Sequence, residues 1–243
     1  MRTVAIIQAR MNSTRLPGKV LEDIGGAPML ARVVARTARA STIDALVVAT
    51  SASGLDDAVA AACRRLNVAI FRGSEEDVLD RYHNAAETYC ADAVVRITAD
   101  NPLVDPEIID RVTRVFLEQT PDYAGNVTPR TYPLGLDVEV IARPALAQAW
   151  TEAIKPYHRA HVDEYLLENP QRFRLVSVTN DRDLSGMRWT VDTPEDLEFA
   201  REVYARFGND DRMRWTDVAA LIEREPSLAD INRHVHQKTA QKL

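Results

Sequence analysis

The sequence predicts an α/β fold built on a mainly parallel sheet. Short continuous apolar runs alternate with amphipathic stretches through the first half of the chain. That is the pattern of βαβ units whose sheet is covered on both faces. The 243 residues suffice to bury a sizeable core. A polar loop carrying Arg10, Arg15 and Lys19 follows the first apolar run directly. Ligands of parallel sheets gather at the carboxyl ends of strands, beside a topological switch point, so this loop marks the working edge.

Taken in order, Thr3–Gln8, Ala45–Thr50, Val68–Phe71 and Ala93–Thr98 read as strands. Between and after them, Met29–Ala38, Asp56–Leu66, Glu76–Tyr89 and Glu107–Glu118 read as helices. Pro28 and Pro106 stand at first helical turns, where a missing N–H is no loss. Ser74, followed by three acids, reads as an N-cap with a negative first turn. The second half is less regular. Asp137–Ile141 alternates polar and apolar residues, a half-exposed strand. Arg172–Val178 and Met187–Val191 are further strand candidates, with helices at Ala145–Ala153, His158–Glu168, Glu195–Phe207 and Thr216–Glu225. The expected organisation is one domain over 1–231, with a small lid or dimer-contact element within about 126–186. A polar, frayed tail over 232–243 completes it.

Hydrophobic content of 46% with 27% charge is ordinary for a globular protein. A formal charge of −6 disfavours a nucleic-acid partner. Cys63 and Cys90 lack CxxC spacing and are expected to be reduced core residues. The apolar run after Arg2 is too short for a signal peptide, and no segment has the length of a membrane span. A soluble, cytoplasmic protein is the expectation.

The run Ile6-Ile7-Gln8-Ala9-Arg10-Met11-Asn12-Ser13-Thr14-Arg15-Leu16-Pro17-Gly18-Lys19 carries the most information. Three cations and several free N–H groups delivered by one strand form an anion cradle, suited to a polyphosphate. Lys19 is the only lysine before Lys155, which fits a compact ammonium placed for phosphate. The loop has neither Walker nor GxGxxG spacing. Asp100 ends the fourth strand just before Pro102, which aims its carboxylate off the strand end. Asp192 precedes Thr193-Pro194-Glu195-Asp196, where Thr193 serves as the helix cap and leaves Asp192 free. Two such acids match the oxygen ligands that Mg²⁺ takes beside phosphates and water.

The Ile6–Lys19 segment resembles the N-terminal signature of the sugar cytidylyltransferases, which make CMP-activated Kdo and sialic acids. It looks most like the SpsF-like, spore-coat polysaccharide branch. The resemblance implies a Rossmann-like, GT-A-related nucleotidyltransferase fold that is homodimeric. The implied reaction is Mg²⁺-dependent transfer of CMP from CTP to a hydroxyl of an acidic or aminodeoxy sugar, in cell-surface polysaccharide biosynthesis. It makes Arg10, Lys19 and Asp100 the catalytic set. Ala9, Ser13 and Arg15 join Arg10 and Lys19 in holding the nucleotide.

The resemblance continues in separate blocks. Arg96–Leu103 is similar to the family's strand-end motif, in which the acid at Asp100 binds the metal; a turn-capping Asp is the plainer reading. Val191–Leu197 resembles the run in Kdo cytidylyltransferases whose first Asp, here Asp192, is the other metal ligand. Thr190 stands where the sialic-acid enzymes often carry a further acid, which favours the Kdo-like arrangement. Phe71–Arg81 is similar to a segment near the base and ribose, implicating Arg72 and Ser74, although a cap at Ser74 accounts for part of the pattern. Asp137 and Glu139 share a strand face; the resemblance implies that they hold acceptor hydroxyls or a second metal, and solvated strand-face acids are the alternative. His161 and Arg159 join the acceptor set, with a packing histidine as the alternative. Rival functions are a cytidylyltransferase with a non-sugar acceptor such as a phosphonate, a GT-A-type glycosyltransferase, and a non-catalytic nucleotide-binding partner.

Overall fold

Strand β1 (Thr3–Gln8) runs through the centre of the molecule. Its alternation sends Ala5 and Ile7 into one core and Val4 and Ile6 into the other, which period two requires of a strand buried on both faces. The structure is a computed structural model and describes residues 1–237. After β1 come a small hairpin, β2 (Asp23–Ile24) and β3 (Ala27–Pro28), helix α1 (Met29–Thr37), β4 (Ala45–Ser51), α2 (Asp57–Arg65) and β5 (Ala69–Gly73). Then follow α3 (Val78–Thr88), β6 (Ala93–Thr98), α4 (Pro106–Gln119), β7 (Tyr123–Gly125), β8 (Glu139–Ala142) and α5 (Arg143–Glu152). The chain continues through α6 (Pro156–Ala160), α7 (Glu164–Leu167), β9 (Leu175–Ser177), α8 (Pro194–Arg206), α9 (Trp215–Arg224) and α10 (Ser227–Asp230).

Seven strands form one sheet in the order β5-β4-β1-β6-β8-β7-β9. β5, β4, β1 and β6 are mutually parallel, and β8 is antiparallel to both β6 and β7. The chain steps outward from β1 to β4 to β5, then returns to the far side of β1 as β6. The ends of β1 and β6 are therefore the topological switch point, and Gln8 opposite Thr98 is their last register pair.

The mainly parallel sheet agrees with expectation, but several elements differ. The first turn of the third helix does not start at Ser74: α3 begins at Val78, with Asp77 as the N-cap accepting the Asp80 N–H. Ser74 Oγ instead accepts the Asp77 N–H at 3.0 Å, one turn earlier. Pro28 caps α1 from outside rather than entering its first turn, whereas Pro106 does occupy the start of α4. Cys63 is buried, but Cys90 is exposed. It sits just past α3 at φ +52°, where the chain reverses toward β6 and leaves the core.

The stretch expected as a half-exposed strand from Asp137 begins at Glu139 and is buried, because β6 and β7 flank it and both cores cover it. The helix expected over His158–Glu168 breaks into α6 and α7. Met187–Val191 is not a strand; only a bridge between Leu134 and Arg188 forms there. The segment expected to hold a lid or dimer-contact element, within about 126–186, contributes β8 and β9 to the main sheet. The start of the expected frayed tail is docked, with Asn232 buried; residues 238–243 of that tail lie outside the described residues.

Candidate active site

The loop after β1 owes its shape to backbone contacts. The Ala9 N–H extends the ladder to the Ala49 carbonyl at 3.1 Å, and the Met11 N–H reaches the buried Asp56 carboxylate at 2.7 Å. Asp56 also accepts the Ser51 N–H at 3.0 Å. Burial would raise its pKa, but these donors outweigh burial and hold the carboxyl below its ordinary range. The loop then folds back, with the Gly18 N–H on the Met11 carbonyl at 2.9 Å. Gly18 has φ +74°, a conformation that glycine adopts without steric cost, and it opens the short 3₁₀ turn that carries Lys19 inward.

On the opposite rim, the Val191 N–H donates to the Asp100 carbonyl at 2.8 Å. That bond brings the end of β6 beside the segment leading into α8, and with it Asp100 beside Asp192. Lys19 lies between them: Nζ is 2.9 Å from Asp100 Oδ2, 2.9 Å from Asp192 Oδ1 and 2.8 Å from the Val191 carbonyl. Arg15 Nη2 reaches Asp192 Oδ2 at 2.8 Å. Thr193 and Asp196 form a reciprocal capping box on α8, so Asp192 is free of capping duty. Lys19, at 9% side-chain exposure, would have its pKa depressed by burial, but Asp100 and Asp192 outweigh this and raise it. The Asp192 carboxyl is held below its ordinary value by Lys19 and Arg15 against the opposing effect of burial.

These groups line a cavity of about 240 Å³ with Arg10, Ser13 and Thr98. Arg10 is exposed and makes no hydrogen bond or ion pair among the described residues. A second cavity of about 370 Å³ shares Gln8, Arg10, Arg15, Thr98, Asp100 and Asp192 with the first. Its far wall includes Asp137, Glu139 and His161. Neither acid is a solvated strand-face group. Asp137 is held by a two-pronged ion pair from Arg130, and Glu139 is 3% exposed and paired to Arg96. Arg96 also faces Asp163 at 3.9 Å. Burial pushes the carboxyls of Glu139 and Asp163 up; at Asp163 the Arg96 guanidinium outweighs burial and holds the pKa below its ordinary value, while Glu139 is pushed well up. Burial, then Arg96, lowers the pKa of His161 and favours the neutral imidazole.

Four expected residues line neither cavity. Arg72 is committed to the Ser51 and Ser53 carbonyls and to Asp57, which ties the end of β5 to β4 and α2. Arg159 grips Asp77, the cap of α3, and the Trp150 carbonyl. Ser74 belongs to the turn before α3, and the Ala9 N–H is committed to the sheet. Conversely, Arg96, Arg130 and Arg188 had not been singled out. Arg96 carried a signal, since a charged residue in an otherwise apolar strand demands a buried partner. Asp56 and Asn232 carried none.

A cationic loop facing an acid pair across the switch point of a mainly parallel sheet is suited to nucleotidyl transfer, and the family match makes the protein a nucleotidyltransferase. The chain belongs to the cytidylyltransferase family, whose profile matches residues 4–221. It is 34% identical over 231 residues to the spore coat polysaccharide biosynthesis protein SpsF of Bacillus subtilis, covering 92% of this chain and 95% of that one. It is 39% identical over 121 residues to a 3-deoxy-manno-octulosonate cytidylyltransferase of Pelobacter propionicus, 49% of this chain and 46% of that one. A cytidylyltransferase structure from Leptospira borgpetersenii shares the fold with a TM-score of 0.92 at 32% identity, covering 98% of this chain and 100% of that one. Among the described residues no helix is long and apolar enough to cross a membrane.

Proposed function

We propose that this enzyme transfers CMP from CTP to a hydroxyl of an acidic or aminodeoxy sugar, releasing pyrophosphate, with Mg²⁺ as cofactor. The observation that carries the reading is the ammonium of Lys19 at 2.9 Å from both Asp100 and Asp192, with Arg10 and Arg15 on the same loop. Arg10, Arg15 and Lys19 hold the triphosphate and stabilise the departing pyrophosphate by charge-assisted hydrogen bonds. The relatives include a 3-deoxy-manno-octulosonate cytidylyltransferase and a polysaccharide biosynthesis protein, which supports an acidic sugar in a cell-surface pathway.

The acid pair fits the metal. Both groups are hard oxygen donors, and the Lys19 ammonium held between them supports reading that space as a place for a cation. No cluster of three metal-binding side chains exists among the described residues, so phosphate oxygens and water complete the set, as Mg²⁺ prefers. When bound, the metal neutralises charge at the α-phosphate. The acceptor lies in the second cavity, against Asp137, Glu139 and His161, with its hydroxyl directed at that phosphate. Arg159 has no part in this pocket. A cytoplasmic homodimer belongs to the same reading; sedimentation of the purified chain tests the dimer.

The test is pyrophosphate release from CTP and Mg²⁺ over a panel of acidic and aminodeoxy sugars, with Asp100→Asn as control. CTP-dependent release that the substitution abolishes is the expected result. Release of a nucleoside diphosphate from a sugar nucleotide would instead make the enzyme a glycosyltransferase.

A further inference from the structure

Asp192 is held from two directions. Lys19 and Arg15 approach from the phosphate loop, and Arg188 approaches from behind, with Nη2 3.0 Å from Asp192 Oδ2. The same guanidinium forks around Asp196, with Nε at 2.8 Å and Nη2 at 2.9 Å. Asp196 is fully buried and accepts the backbone N–H groups of Asp192 at 2.9 Å and Thr193 at 3.0 Å. Arg188, Asp196 and the backbone and carboxylate of Asp192 therefore close a ring, which leaves the Asp192 side chain little freedom to turn. The C-terminal segment locks that ring. Asn232 donates to the Arg188 carbonyl at 3.1 Å and to Asp196 at 2.9 Å, and Gln237 accepts from Arg188 Nη1 at 2.8 Å.

We propose that Arg188, clamped by Asn232, is the positioning residue of Asp192. The inference rests on the metal and triphosphate roles proposed above. Lys19 and Arg15 serve the phosphates in that reading, so neither is a permanent partner for Asp192. Arg188 is, because Asp196 and Gln237 hold its guanidinium, Asn232 ties its backbone carbonyl to Asp196, and its side chain is 9% exposed and lines neither cavity. It holds Oδ2 and leaves Oδ1, the oxygen facing Asp100 across Lys19, for the cation. Groups that orient a metal ligand in this way typically change metal affinity by about 10- to 100-fold when removed.

The experiment measures CTP affinity by calorimetry in EDTA and again with Mn²⁺, and needs no acceptor. The readout is the metal-dependent gain in affinity. Arg188→Gln, which can still bond Asp196 but carries no charge, should lose about tenfold or more of that gain with metal-free CTP binding unchanged. Arg188→Lys should recover part of it, since it restores the charge without the fork. Asn232→Ala should show a smaller loss in the same direction, and carries the test if Arg188→Gln does not fold. A purely structural role would lower the melting point and leave the gain intact. A wild-type gain that survives in both Arg188→Gln and Asn232→Ala overturns the positioning role alone. Absence of any gain in the wild type overturns the acid-pair metal site, and the positioning role with it.

Discussion

Replacing Lys19 with Met keeps the aliphatic stem and deletes the ammonium that joins the two halves of the site. Three contacts vanish: those to Asp100 and Asp192 at 2.9 Å and that to the Val191 carbonyl at 2.8 Å. Truncating one partner of a buried ion pair costs about 3–5 kcal/mol, and two features reduce that figure here. Asp192 keeps Arg15 and Arg188, and Asp100, with 29% side-chain exposure, gains water. The expected loss is about 1–2 kcal/mol, a fall in melting point of about 2–8 °C for a chain of this size.

The pH dependence has a defined sign. The raised Lys19 contributes stability below its unfolded-state pKa that is lost as pH rises through the folded value. The lowered Asp192 contributes stability above an unfolded pKa of about 4 that is lost as pH falls through the folded value. Lys19→Met should flatten both limbs of the stability–pH curve. Its CTP affinity, read by calorimetry, should fall about 10- to 100-fold, the equivalent of one charge-assisted bond of about 1.5–3 kcal/mol. A variant that melts with the wild type and binds CTP as tightly would refute both roles given to the ammonium.

Two further substitutions probe the frame around the site. Burial, opposed by Arg96, raises the Glu139 carboxyl, so its contribution to stability is present at low pH and lost as pH rises through the folded value. Glu139→Gln should therefore gain in urea midpoint relative to wild type as pH rises; a difference that moves the other way removes the buried-acid account. At Gly135, φ is +112° and a Cβ would stand 2.5 Å from the Thr190 backbone nitrogen. Gly135→Ala should destabilise by more than about 1 kcal/mol in urea titration, and an unchanged midpoint would deny the close approach of these two segments.

Periodicity and punctuation determined the sheet-forming half by themselves. Thr3–Gln8 and Ala93–Thr98 are mostly apolar runs bounded by polar breaks, the second interrupted by Arg96, and they appear as strands with the expected limits. The cationic loop, Asp100 and Asp192 were legible for the same reason: charged residues next to Gly or Pro at strand and helix ends are local features of the chain. What the sequence left open depends on partners far apart along it. The resemblance implicates Arg72 in nucleotide binding and Arg159 in acceptor binding, and only the fold shows that Asp57, Asp77 and nearby carbonyls hold them. Asp137 and Glu139 alternate as an exposed strand would, yet β7, with only three residues and no local signature, covers the edge and buries Glu139. The link from Asn232 to Asp196 spans 36 residues, and a buried hydrogen bond of that kind leaves no periodic trace. Local patterns state which residues can carry charge at an edge; tertiary packing decides which charges remain free to meet a ligand, because each buried cation or acid must first find its own partner.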